Sequence, residues 1–196
     1  MTASSSRFSL PALAVLAGLA GLVPAPLAAQ AVSNSAEFEA WRKVQKQDID
    51  GLREKFMALA KAVPADKLTW RPMKGTRSFH DVFAHVAAEG NTETAMFGGK
   101  LPAGSLADFD AEEARLRKLP DDQLIPAMDK SMQSLSATLA GLSLDKMNTS
   151  ITYYGQSTLP RIAATYTLND LHEHLGQLVS YARMNQIVPP WSKKSG

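Results

Sequence analysis

Residues 170–183, which read DLHEHLGQLVSYAR, combine a helical repeat of apolar residues with a row of polar ones. At 3.6 residues per turn, positions three and four apart share one face of a helix. The polar row on that face consists of Asp170, His174, Gln177 and Tyr181. Its flanks are the apolar residues Leu171, Leu175, Leu178 and Val179. This pattern predicts a helix that directs the polar row into the protein interior.

The rest of the chain predicts three more long helices around this one. The quoted helix should run from about residue 158 to about residue 185, before Pro189 and Pro190 prevent its continuation. Apolar residues at helical spacing predict the other helices over residues 35–62, 78–97 and 121–141. A short helix is expected within residues 108–118, and Tyr153 and Tyr154 lie in a connector that can pair as extended chain. These elements predict an all-α, up-and-down four-helix bundle with long connections.

Residues 1–31 have the pattern of a secretory signal peptide. Arg7 is the only charged residue before Glu37, and an apolar stretch covers residues 10–22. Ala29 and Ala31 supply small residues at a cleavage site. The apolar stretch is shorter than the roughly 20 residues of a membrane-spanning helix, although an uncleaved N-terminal anchor is the alternative. We therefore expect secretion across the inner membrane into the periplasm, no stable membrane anchor after cleavage, and one mature domain of residues 32–196.

The composition excludes several kinds of chemistry. The chain has no cysteine, which excludes disulfides, thiolate metal ligands and a cysteine nucleophile. Its formal net charge is +2, and loss of Arg7 with the signal peptide would leave a charge near neutrality. This balance gives no electrostatic reason to expect nucleic acid as a partner. An active site must therefore use imidazoles, carboxylates, hydroxyls and amides.

Three of these side chains are predicted to share a metal site in the bundle core. His85 lies between Val82 and Val86 on the inward face of the second long helix. Asp170 and His174, one helical turn apart, can chelate one divalent cation. His85, Asp170 and His174 would then form a three-ligand set with room for water or substrate. The expected supporting or pocket-lining residues are Gln177, Tyr181 and Glu89.

Structural roles are the alternatives for the same residues. His85 would then be a hydrogen-bonded core residue, and Asp170 with His174 an ordinary helix pair. His172 is two positions from His174, roughly 200° around the helix axis, and is expected to face solvent. His80 is expected near the surface or the helix start.

Two stretches resemble the DinB/YfiT-like superfamily. Residues 68–72 (LTWRP), followed by 77–79 (RSF) and His85, resemble the start of such domains. Residues 171–183 and the closing 188–192 (VPPWS) are similar to the last helix and tail. The resemblance covers nearly all of the mature chain and implies a four-helix bundle with a divalent metal, commonly held by three histidines. His85 and His174 match two of them, whereas Asp170 stands where the third is usual, which leaves either a His-Asp-His site or one that no longer holds metal.

The resemblance also implies a class of activity without naming a substrate. Its characterised relatives include thiol transferases, hydrolases and isomerases, so we expect a metal-dependent hydrolase or transferase acting on an unknown small molecule. The metal would serve as a Lewis acid or activate a nucleophile, and zinc, nickel, manganese and iron are all compatible with the donors. The alternative is a non-catalytic bundle with a degenerate metal site that binds a small ligand or forms a homodimer.

Overall fold

Four long helices dominate the computed structural model, which describes residues 34–192. They are α1 (Ser35–Ala62), α2 (Phe79–Met96), α4 (Asp121–Ala140) and α6 (Pro160–Met184). Shorter elements lie between them: α3 (Phe109–Leu116), α5 (Leu144–Met147) and the strands β1 (Ile151–Tyr153) and β2 (Gln156–Thr158). The all-α prediction is confirmed, and the long helices begin and end within about two residues of their predicted limits. The predicted signal peptide lies outside the described residues.

Side-chain caps explain where several helices begin. Asn34 accepts a hydrogen bond from the Glu37 amide at 2.7 Å and starts α1. Asp108 accepts one from the Ala111 amide at 2.9 Å and starts α3. Ser78 and Asp81 form a reciprocal capping box at the start of α2, in which each side chain accepts the other's amide. These caps satisfy amides that have no partner within the helix.

The long helices pack as a closed ring in the order α1, α4, α2, α6. The largest fully buried side chains come from the inner faces of this ring and include Phe56, Phe79, Phe83, Met128, Leu135 and Leu139. Helix α2 is the most enclosed element, because every residue from 82 to 94 is buried. At Gly90 a Cβ atom would clash with the Ser131 Oγ, which donates to the Ala87 carbonyl, so any larger residue would displace this hydroxyl from the contact between α2 and α4. Polar side chains on α2 are therefore held inside the protein.

A short hairpin closes the connection between α5 and α6. β1 and β2 pair antiparallel, with Tyr153 opposite Gln156, which agrees with the extended pairing expected there. The two turn residues, Tyr154 and Gly155, have φ angles of 43° and 79°. Positive φ at both positions is the geometry of the two-residue turn that matches strand twist. Helix α5 was not predicted.

Within the described chain, we find no helix with the length and apolar character needed to cross a membrane.

Replacing Ser78 with alanine should destabilise the protein by about 1 kcal/mol, because the Asp81 amide loses its cap. Chemical denaturation would measure this loss. Ser180→Ala is the matched control, since its hydroxyl bonds only the Gly176 carbonyl on the exposed side of α6. That variant should stay within about 0.5 kcal/mol of the wild type. Equal losses in the two variants would contradict a specific role for the cap.

Candidate metal centre

Helices α2 and α6 bring two histidines and a glutamate together in the core. The Glu89 Oε1 lies 3.0 Å from the His85 Nε2 and 3.3 Å from the His174 Nε2. The two imidazole centroids are 4.6 Å apart, and one potential ligand atom from each of the three residues lies within 4.8 Å of the others. All three residues are buried, with 4–8% of their surface exposed. The Glu89 carboxylate thus lies between the two imidazoles, at the distance expected of a third metal ligand.

Asp170 lies at the solvent side of this cluster. Its Oδ1 is 3.7 Å from the His174 Nε2, one turn away on the same face of α6, as the spacing predicts. In contrast to the other three, its side chain is 49% exposed. The cluster therefore has a buried His-Glu-His part and one carboxylate that reaches solvent.

The two carboxyl groups of the cluster, Glu89 and Asp170, have pKa values shifted in opposite directions. Burial opposes ionisation of Glu89, but hydrogen bonds with His174 and His85 outweigh it and lower the Glu89 pKa to about 2. Burial and the adjacent Glu89 raise the pKa of Asp170 to about 6. Burial alone would lower the pKa of His174, yet its interaction with Glu89 raises it. Glu89 is thus a permanent anion, whereas Asp170 exchanges a proton near neutral pH.

The outer nitrogen of each imidazole has its own partner. The His85 Nδ1 lies 3.2 Å from the Glu113 Oε1 of α3. The His174 Nδ1 lies 3.3 Å from the Gln177 Oε1. In the hydrogen bonds with Glu89 each Nε2 is the donor. If an ion took the place of those two hydrogens, each Nδ1 would keep its hydrogen and donate to its partner, and each Nε2 would present a lone pair to the ion. The side chains are therefore oriented as metal-ligating histidines usually are.

The predicted polar row on α6 continues from this contact toward the end of the bundle. Gln177 donates to the Tyr181 hydroxyl at 2.9 Å. The Tyr181 ring packs edge-on against Trp70 and Phe79, with centroids 5.5 Å apart in both cases. The loop before α2 thereby fixes Tyr181, which in turn holds the amide that orients His174.

The donors fit a divalent metal ion. The Glu89 Oε2 is buried, and its surroundings among residues 34–192 offer it no direct donor, although a buried carboxylate oxygen normally has one. Two imidazole nitrogens with one or two carboxylates form a mixed set that suits zinc, nickel, manganese or iron. The two histidines do not satisfy this oxygen, whereas a cation would, and so would a protonated Asp170, whose carboxyl hydrogen-bonds with Glu89. Which of the four side chains bind such an ion stays a prediction.

A further buried carboxyl, Glu93, lies one turn beyond Glu89. Its Oε1 accepts a hydrogen bond of 2.6 Å from the Tyr153 hydroxyl, which also lies 3.3 Å from the Thr167 Oγ1. Burial and the charge of Glu89 raise the pKa of Glu93 to about 8, although the Tyr153 hydrogen bond opposes this shift. Glu93 is therefore a neutral acid that ties the hairpin to α2.

Sequence reasoning found some of these residues and missed others. His85, Asp170 and His174 are brought together, while Gln177 and Tyr181 extend the site away from solvent. His172 is exposed, as expected. Glu93 and Glu113 were missed. The four-residue spacing of His85, Glu89 and Glu93 on one face of α2 was a signal for Glu93; Glu113 lies on a short helix whose placement no spacing indicates.

The fold and the cluster together define a class of helical-bundle proteins whose core carries potential metal ligands. The chain belongs to the DinB superfamily, whose family model matches residues 48–178. A crystal structure of a DinB-like protein from Bacillus cereus ATCC 10987 has a similar fold, with a TM-score of 0.58 and 13% sequence identity. The match covers 71% of this chain and 89% of that one. Among curated proteins no match was found.

Glu93→Gln should change how the stability of the metal-free protein depends on pH. The Glu93 pKa of about 8 lies above the ordinary value of 4.5, so between these values the folded state binds more protons than the unfolded state. The stabilising effect of the protonated carboxyl is complete below the lower value and is lost as pH rises through the upper one. The variant keeps an oxygen that accepts the Tyr153 hydrogen bond. Its free energy of unfolding should therefore increase relative to that of the wild type as pH rises, by up to about 1.4 kcal/mol per pH unit.

Denaturant titrations at several pH values would measure this difference. Glu112→Gln is the control, because hydrogen bonding to Arg115 outweighs burial and lowers the Glu112 pKa. Above about pH 6 that carboxyl is ionised in both the folded and the unfolded state, so the loss in its variant should be constant from there upward. A constant difference for Glu93→Gln as well would show that Glu93 is ionised in the folded protein.

Proposed function

We propose that this chain is an exported, divalent-metal-dependent enzyme that carries out hydrolysis or group transfer on a small molecule. The observation behind the proposal is a buried His-Glu-His cluster with one half-exposed carboxylate beside it. A buried cluster of donors can hold an ion, and the half-exposed side gives a substrate access to it. The signal-peptide pattern of residues 1–31 supports export to the periplasm.

In this proposal His85, Glu89 and His174 hold the ion, and Asp170 provides a weaker fourth oxygen. A bound divalent ion would supply Lewis acidity to a carbonyl, phosphoryl or similar group. Glu113 and Gln177 keep the two imidazoles aligned through their outer nitrogens. These contacts hold the donors in place before a substrate arrives, which reduces reorganisation during the reaction.

Asp170 is also suited to move a proton. Its pKa of about 6 belongs to the protein without an ion, and an ion that Asp170 ligates would keep this carboxylate ionised. When Asp170 does not ligate the ion, its half-exposed carboxylate can accept a proton from a nucleophile that enters from the solvent side. Glu93 is enclosed, with 2% of its surface exposed, and has no such access to a substrate.

The mature chain, residues 32–196, should contain about one divalent ion when it is purified without a histidine tag or chelator. His85→Ala, Glu89→Gln and His174→Ala should each lose it, because each removes a buried donor. Asp170→Ala should bind more weakly, because it removes the half-exposed oxygen. Elemental analysis after dialysis would measure the stoichiometry.

His172→Ala is the matched control, since this exposed histidine lies on the same helix as His174. It should keep the wild-type metal content. Full retention of metal in both the His85 and His174 variants would contradict the ligand assignment. Absence of metal from the wild type after incubation with zinc, nickel and manganese would contradict the metal site.

Catalysis requires a separate test, because a metal can also serve a binding protein. We expect the metal-loaded protein to turn over at least one substrate from a panel that contains chromogenic esters and pairs of a small thiol with an electrophile. His174→Ala should lose this turnover and His172→Ala should keep it. Stoichiometric metal without turnover across the panel would favour the non-catalytic bundle.

A further inference from the structure

Four aromatic rings form a continuous row that begins beside the metal centre. The row consists of Phe109, Tyr154, Tyr153 and Tyr166, and we call it the aromatic rim. Its successive ring centroids are 6.3, 4.8 and 6.4 Å apart. These spacings are those of interacting aromatic pairs.

Both ends of the rim lie beside metal-site residues. The Phe109 ring meets the His85 imidazole edge-on, with centroids 5.3 Å apart. Tyr166 lies one helical turn before Asp170 on α6 and therefore shares its face. Because Asp170 is the donor that reaches solvent, the rim follows the same side of the cluster. A molecule that approaches the site from this side meets the rim.

The rim is exposed although its anchor is buried. Tyr153 is 9% exposed and is fixed by its hydrogen bond to Glu93, whereas Tyr154 and Tyr166 are 45% and 57% exposed. Tyr153 contacts both exposed rings, with centroids 4.8 and 6.4 Å away. The buried Tyr153 therefore holds one exposed ring on each side of it in a fixed position.

Tyr154 occupies a backbone position that a tyrosine rarely takes. Its φ of 43° lies in the left-handed region, where asparagine or glycine is favoured in this type of turn. Within the described part of the chain, its hydroxyl makes no hydrogen bond that competes with a ligand. Unfavourable backbone positions of this kind cluster at functional sites. Tyr154 thus places an aromatic ring and a hydroxyl group at a turn position where asparagine or glycine, which this φ angle favours, would supply neither.

We propose that the aromatic rim binds a planar, uncharged aromatic group of the substrate while the metal centre engages the polar group attached to it. This inference rests on the proposed metal-dependent function and adds the substrate class. An uncharged group is favoured over a cation because a divalent ion offsets the charges of Glu89 and Asp170. Planar rings stack on Phe109 and Tyr154, and the Tyr154 hydroxyl can bond to a polar substituent.

Two hydroxamate ligands distinguish binding at the aromatic rim from binding at the metal ion. Benzohydroxamate and acetohydroxamate share one chelating group, and only the first carries a phenyl ring. Spectroscopic titration of the cobalt(II)-loaded protein would give both affinities. We expect benzohydroxamate to bind roughly tenfold more tightly, from the additional ring contacts. Tyr154→Asn, which suits the turn, and Phe109→Leu, which keeps apolar volume, should each reduce this preference at least threefold while acetohydroxamate affinity stays unchanged.

Trp191→Leu is the control, because it removes an exposed aromatic ring that lies outside the rim. It should keep the wild-type preference. Equal affinities for the two hydroxamates in the wild type, or a preference unchanged in both rim variants, would overturn the rim and leave the metal centre standing. Failure of the wild type to bind cobalt would instead overturn the metal centre on which the rim depends.

Discussion

The contact of Glu89 with two histidines is the constraint around which the bundle is arranged. Helix α2 is buried on all sides, so an ionised carboxylate at its centre is unfavourable unless positive charge and hydrogen bonds compensate it. His85 supplies compensation from the same helix, and His174 supplies it from α6. The packing of α2 against α6 and the charge balance of the core therefore depend on one group of atoms.

That dependence extends outward through hydrogen-bonded partners. Gln177 and Tyr181 connect His174 to Trp70 in the loop before α2, while Glu113 connects His85 to α3. On the other side, Glu93 meets Tyr153 and so joins the hairpin to the core. The loop before α2, helix α3 and the hairpin are thus each linked to the centre through one or a few side chains. The long connections of this bundle serve to surround the cluster as well as to join helices.

The sequence was sufficient for the fold and for three of the four side chains that meet in the cluster, for physical reasons. Amphipathic spacing and capping residues predicted the long helices, and the i,i+4 relation of Asp170 and His174 placed them on one inward face. The same reasoning is weak for α2, because its polar residues between Glu89 and Thr94 lie all around the helix and mark no face as outward. Glu89 therefore received a supporting role, and Glu93 was missed. Glu113 depends on how α3 packs, which is a tertiary contact that local patterns do not encode.

The position of the donors along the chain also links metal binding to folding. His85 and Glu89 lie on α2 and His174 on α6, and α3, α4, α5 and the hairpin separate them in sequence. An unfolded chain has no such cluster, so an ion would bind the folded state alone. Its binding free energy would then add to the free energy of unfolding, by about 2.7 kcal/mol at a free metal concentration one hundred times the dissociation constant. Without a disulfide to hold the fold, the protein would gain resistance to unfolding from the metal content of its surroundings.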